Sequence, residues 1–78
     1  MKKYNSEVRV VIFHDTWNLI SQVNGEYVSF DRGGDLFIWR NGTVCGSYDL
    51  NQFKRWRIVE KGFDVQRGVW FEHIFLDI

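Results

Sequence analysis

Cys45, His14, His73 and the carboxylates Asp15 and Asp49 are the side chains whose types could support nucleophilic or acid–base catalysis. That chemistry needs a nucleophile within hydrogen-bond reach of a base, which a third group orients. The spacing offers no such set. Cys45 falls in the middle of an extended run, opposite Ile38, where a small buried hydrophobe is the ordinary occupant. His14 and Asp15 are neighbours at the end of a run, an arrangement suited to a local hydrogen bond. His73 alternates with Phe71 and Phe75, which fits a half-buried core or rim position better than a general base. His14, His73 and Cys45 lack paired metal-ligand spacing, and Gly33-Gly34 lacks the Lys-Ser/Thr and helix of a phosphate loop. No catalytic residue, metal site or cofactor is expected, and the chain does not read as an enzyme.

Residues suited to binding are plentiful. The chain has 4 Trp, 3 Tyr and 7 Phe in 78 residues. In an extended strand Arg55 and Arg57 project together, about 7 Å apart, while Trp56 and Ile58 point to the other face. Two such guanidinium groups can grip phosphates or carboxylates. Phosphate-dominated binding, however, goes with a net positive domain, and here Lys+Arg 10 balances Asp+Glu 10.

Composition narrows the class further. A 45% apolar share excludes a disordered chain, and a single Cys excludes an internal disulfide framework. The length suits one domain, taken as residues 1–78. Met1-Lys2-Lys3 is followed by an apolar run, Val10 to Phe13, too short for a signal peptide. No stretch reaches the roughly 18 apolar residues of a membrane span. The expectation is a cytoplasmic protein with no membrane association.

Turn chemistry sets the elements. Asn24-Gly25 and Asn41-Gly42 each separate runs of β-branched and aromatic residues, the pattern of a type I′ hairpin. Asp31 to Gly34 reads as another reversal, and Lys61-Gly62 and Arg67-Gly68 punctuate the last third. Strands are expected near 7–13, 17–23, 26–31, 35–40, 43–48, 55–60 and 69–76. The run from Asp15 to Val23 also fits a short helix, and the β-rich surroundings favour a strand. Asp49 or Asn51 can cap one short helical turn within 49–55. The fold class is all-β: six or seven short strands in a small antiparallel barrel or roll, SH3-like or OB-like. The alternative is α+β, an antiparallel sheet packed on one short helix.

A two-residue loop at Asn41-Gly42 pairs Trp39 with Val44, Ile38 with Cys45 and Phe37 with Gly46. One face then holds Phe37, Trp39, Val44 and Tyr48, and the other Leu36, Ile38 and Cys45. Both are apolar at their centres, more than a sheet with one wet side should be. The last strand is similar: Trp70, Ile74 and Leu76 with Glu72 on one face, Phe71, His73 and Phe75 on the other. That suits a central strand or one pairing across a subunit boundary, so a homodimer is allowed. The expected activity is protein–protein contact by a small non-enzymatic binding module, anchored by Phe37, Trp39 and Tyr48 with Arg40, Arg55 and Arg57 as polar clamps. A stoichiometric inhibitor or adaptor of a larger host complex, of the size phages and mobile elements encode, is one version. The alternative is a single-stranded nucleic-acid-binding small barrel, with Trp39 or Trp56 stacking on bases.

Overall fold

A computed structural model describes residues 6–15 and 18–78, with side chains over 6–13 and 21–78. Seven strands follow in order: β1 Ser6–Asp15, β2 Asn18–Gly25, β3 Tyr27–Phe30, β4 Asp35–Arg40, β5 Thr43–Asp49, β6 Arg55–Asp64 and β7 Val69–Asp77. One 3₁₀ turn, Leu50–Gln52, lies between β5 and β6, and the Asp49 carboxylate caps it by accepting from the Asn51 N–H at 3.0 Å. There is no α-helix among the described residues, so the fold is all-β and not α+β.

The strands form two sheets: β2-β1-β7-β6, and β3-β4-β5. Neighbours are antiparallel except β1 and β7, which run parallel from Ser6 beside Trp70 to Phe13 beside Asp77. β7 is therefore central, with both of its edges occupied, and pairing of the C-terminal strand across a subunit boundary is not available. The closed barrel expected from the strand count is not formed by the described strands, because β5 and β6 each keep a free edge.

Two turns behave differently from one another although both are Asn-Gly. At Asn41-Gly42 both residues have positive φ, 54° and 74°, and a tight hairpin joins β4 to β5. Asn24-Gly25 makes no hairpin. The chain continues from β2 through Glu26 into β3, with β2 paired to β1 and β3 paired to β4. The Glu26 N–H donates to the Trp39 carbonyl at 2.7 Å as the strand leaves one sheet for the other. Lys61-Gly62 does not break a strand either, since β6 runs on to Asp64. Asp64 then caps the last hairpin, its carboxylate accepting from the Gln66 and Arg67 N–H groups.

The sheets meet through a core of Val8, Val10, Ile12, Leu36, Ile38, Ile74 and Leu76, with Val23, Val28, Tyr48, Leu50 and Phe53 packed against it. Alternation places these side chains on the facing sides. Each fully buried Leu or Ile contributes about 1.5–3 kcal/mol.

Candidate functional site

The outer face of the small sheet is aromatic. β3–β4 pairing sets Tyr27 beside Trp39 and Ser29 beside Phe37. The Tyr27 and Trp39 rings stack with centroids 5.8 Å apart and planes 1° from parallel. The indole N–H of Trp39 donates to Ser29 Oγ at 2.9 Å, which fixes the ring. Trp39, Tyr27 and Phe37 are half-buried and take no part in the core, while Val44 beside them is exposed.

The β4–β5 register departs from the one expected. Trp39 does pair with Val44, but a bulge follows, so Ile38 pairs with Gly46, Phe37 with Ser47 and Leu36 with Tyr48. Cys45 is the extra residue of that bulge. It is exposed, not a buried hydrophobe, and its Sγ reaches the Asn24 carbonyl at 3.7 Å. The one-residue shift also turns Tyr48 to the core side, away from Phe37 and Trp39. There it packs edge-on to Phe53, ring centroids 6.2 Å apart, and burial pushes its hydroxyl pKa up. Gly46 provides the room: a Cβ there would lie 3.1 Å from Ile38 Cδ1. Arg40 is exposed but tethered, its Nη2 donating to the Asn24 carbonyl.

Arg55 and Arg57 project on one face as expected, and that is the outer face of the large sheet, on the opposite side of the molecule from Phe37 and Trp39. Around them β1 and β7 present Phe13, Phe71, His73 and Phe75. The Phe13 and Phe75 rings lie 4.7 Å apart, and the Arg57 guanidinium sits 5.3 Å above the Phe75 ring. Arg57 Nε is buried without a hydrogen-bond partner. Carboxylates are interleaved. Arg55 Nε donates to Asp77 at 2.8 Å, Arg67 bridges Glu7 and Asp64, and His73 Nδ1 lies 3.3 Å from Glu60.

A third apolar surface arises because the small sheet is shorter and one strand narrower than the large one. On the core side of β6 and β7 the small sheet leaves Phe63 and Trp70 uncovered, their rings 4.9 Å apart and Trp70 60% exposed. Trp56, 40% exposed, leans on Phe30 at 5.1 Å, and Ile58 is equally open. A groove of about 450 Å³ runs beside this overhang, lined by Ser6, Val8, Tyr27, Lys61, Trp70 and Glu72. Sequence reading missed Tyr27 and the Phe63–Trp70 pair. The signal for the pair lay in the continued alternation of 61–64, masked by the glycine at 62.

The six residues singled out from the sequence thus occupy separate places. Phe37 and Trp39 share the small-sheet face, Arg55 and Arg57 the large-sheet face, Tyr48 abuts the core, and Arg40 stands at the hairpin end. The His14 side chain and Trp17 lie outside the described residues. No group of three or more His, Cys, Asp or Glu side chains with metal-holding geometry occurs among the described residues, and no helix among them is long and apolar enough to cross a membrane. The sequence matches no protein-family model, and comparisons with curated proteins and with solved structures find no similar chain.

Proposed function

We propose that this chain is a non-enzymatic binding module that takes a protein partner on the outer face of its small sheet. The Tyr27–Trp39 stack carries this reading: a flat, oriented pair of large rings lying outside the core. Tyr and Trp supply much of the energy of protein interfaces and lose few rotamers on binding. Phe37 and Val44 extend the patch, and Arg40 stands at its rim. A stoichiometric inhibitor or adaptor working in the cytoplasm is the form this activity takes. The two sheets act as one open roll, joined by the strand that bends at Glu26.

The test is affinity capture from an extract of the native host, with mass spectrometry of what is retained. Trp39→Ala and Tyr27→Ala should lose the partner while keeping a native far-UV spectrum, and Arg57→Ala on the far side should keep it. A partner retained equally by all three variants would refute this assignment.

Single-stranded nucleic acid is the second reading, favoured by Phe13, Phe75 and Arg57 clustered on adjacent strands. Charge weighs against it. Arg55, Arg67 and His73 on that face each lie against a carboxylate, so little positive field is left to draw phosphates. Oligonucleotide binding at low salt, falling steeply as salt rises, would restore it.

A further inference from the structure

β6 is an edge strand of ten residues, as long as any in the fold, and its outer edge is unpaired among the described residues. A free edge of this length is a template for another strand. Its residues are distributed in a self-complementary way. On the outward side lie Arg55, Arg57, Glu60, Gly62 and Asp64; on the core side lie Trp56, Ile58, Lys61 and Phe63. The bulge at Val59 stands near the middle.

An antiparallel copy of the same strand must keep outward residues opposite outward ones. Only two registers achieve this on both sides of the bulge. One of them pairs Arg57 with the partner's Glu60, leaves Phe63 and Asp64 outside the ladder, and puts Trp56 against the partner's Lys61. The other uses all ten residues. It sets Arg55 opposite the partner's Asp64, Trp56 opposite the partner's Phe63, Arg57 opposite the partner's Gly62 and Ile58 opposite the partner's Lys61. Opposite charges meet at both ends of the ladder, while at the symmetry axis the two bulges face each other and bring Glu60 beside the partner's Glu60 on the outward face.

The geometry points to a second copy of this chain docked on the β6 edge in that full-length register, joining two four-stranded sheets into one of eight strands. A two-fold axis perpendicular to the sheet places both small sheets on the same side, with a gap between them. The surfaces lining that gap are the ones the protomer leaves exposed: Trp56, Ile58 and Phe63, with Phe30 behind. The same side chains that make the edge apolar therefore fill the space the pairing creates. An isologous contact of this kind closes at two copies, because the other edge of the large sheet, β2, is not involved. This surface is separate from the Tyr27–Trp39 face, and its test does not depend on that face having a partner.

Sedimentation velocity of the full chain across a concentration series reads the assembly directly. A monomer–dimer equilibrium is expected. Arg55→Asp should weaken it about 10-fold or more, since reversal acts twice across the axis. The charge swap Arg55→Asp with Asp64→Arg should bring it back to within about 3-fold of the wild type. A second measurement fixes the register: in a Cys45→Ser background, Ile58→Cys with Lys61→Cys should oxidise to a covalent dimer. The two cysteines of one chain are about 10 Å apart along the strand and cannot bridge each other. A chain that stays monomeric to about 100 μM, a dimer indifferent to Arg55→Asp, or one not regained in the swap overturns the proposal. If Arg55→Asp fails to fold, the cysteine pair decides: absence of cross-linking counts against it.

Discussion

Gly25 in β2 lies directly against Ile38 in β4: a Cβ at Gly25 would come within 2.5 Å of Ile38 Cγ2 and 2.9 Å of the Trp39 carbonyl oxygen. The glycine serves this close approach and not a left-handed turn, and it sits where the chain passes between sheets. Gly25→Ala should destabilise the fold by about 2 kcal/mol, because backbone has to shift to admit the methyl group. A lower urea midpoint with an unchanged slope is the expected result.

Ile38 and Trp39 are consecutive residues with opposite duties. Ile38 is fully buried in the core, and Trp39 points away from it. Ile38→Ala should cost roughly 2–5 kcal/mol. Trp39→Ala should cost about 1 kcal/mol, for the lost ring stack and hydrogen bond. Equilibrium unfolding of the two variants side by side checks the assignment, and similar losses would move Trp39 into the structural core.

Arg67 ties β1 to the β6–β7 hairpin. Its hydrogen bonds to Glu7 and Asp64 hold both carboxyl groups below the usual carboxylate range. Acids whose folded pKa is lowered stabilise the fold above their unfolded pKa, and that stabilisation is lost as pH falls through the lowered values. The wild type should therefore melt higher than Arg67→Ala at pH about 7, with the gap closing by pH about 2. Thermal melts across that range measure it.

Asp35 behaves in the opposite sense. Loss of hydration, then the nearby charges of Asp31 and Asp49, raise its pKa. Asp35 and Asp49 are directly paired across β4 and β5, a like-charge juxtaposition. The folded state disfavours the ionised form, so a penalty is present at neutral pH and vanishes as pH falls through the raised pKa. Asp35→Asn should raise the melting temperature at pH about 7 and make no difference below pH about 3.

Cys45 should react with Ellman's reagent in the native protein, at a rate within about 3-fold of the unfolded chain. Slow, unfolding-limited modification would return it to the interior.

Most of the strand pattern was legible because alternation and turn residues are local signals. The Asp49 cap and the Asn41-Gly42 hairpin follow from preferences of the residues themselves. The identical pair at Asn24-Gly25 misleads because its glycine answers a tertiary contact with Ile38. The bulge at Cys45 breaks no local rule, yet it turns Tyr48 from one face to the other. The candidate site was half legible for the same reason. That Arg55 and Arg57 share a face follows from the period of a strand. That their face looks away from Trp39 follows from sheet order, which joins residues far apart in the chain. Tyr27 was missed because its register with Trp39 passes through the irregular link at 31–34.

The parallel pairing of β1 with β7 dictates when the molecule can come together. The large sheet's central rung joins residues near 6–13 to those near 70–77, so its formation waits on almost the entire length being available. Such long-range closure folds slowly, on the order of milliseconds to seconds. A nascent chain still lacking β7 would have no mate for β6 and only β2 for β1, and the edges that β7 covers would stay open to other strands until that strand emerged.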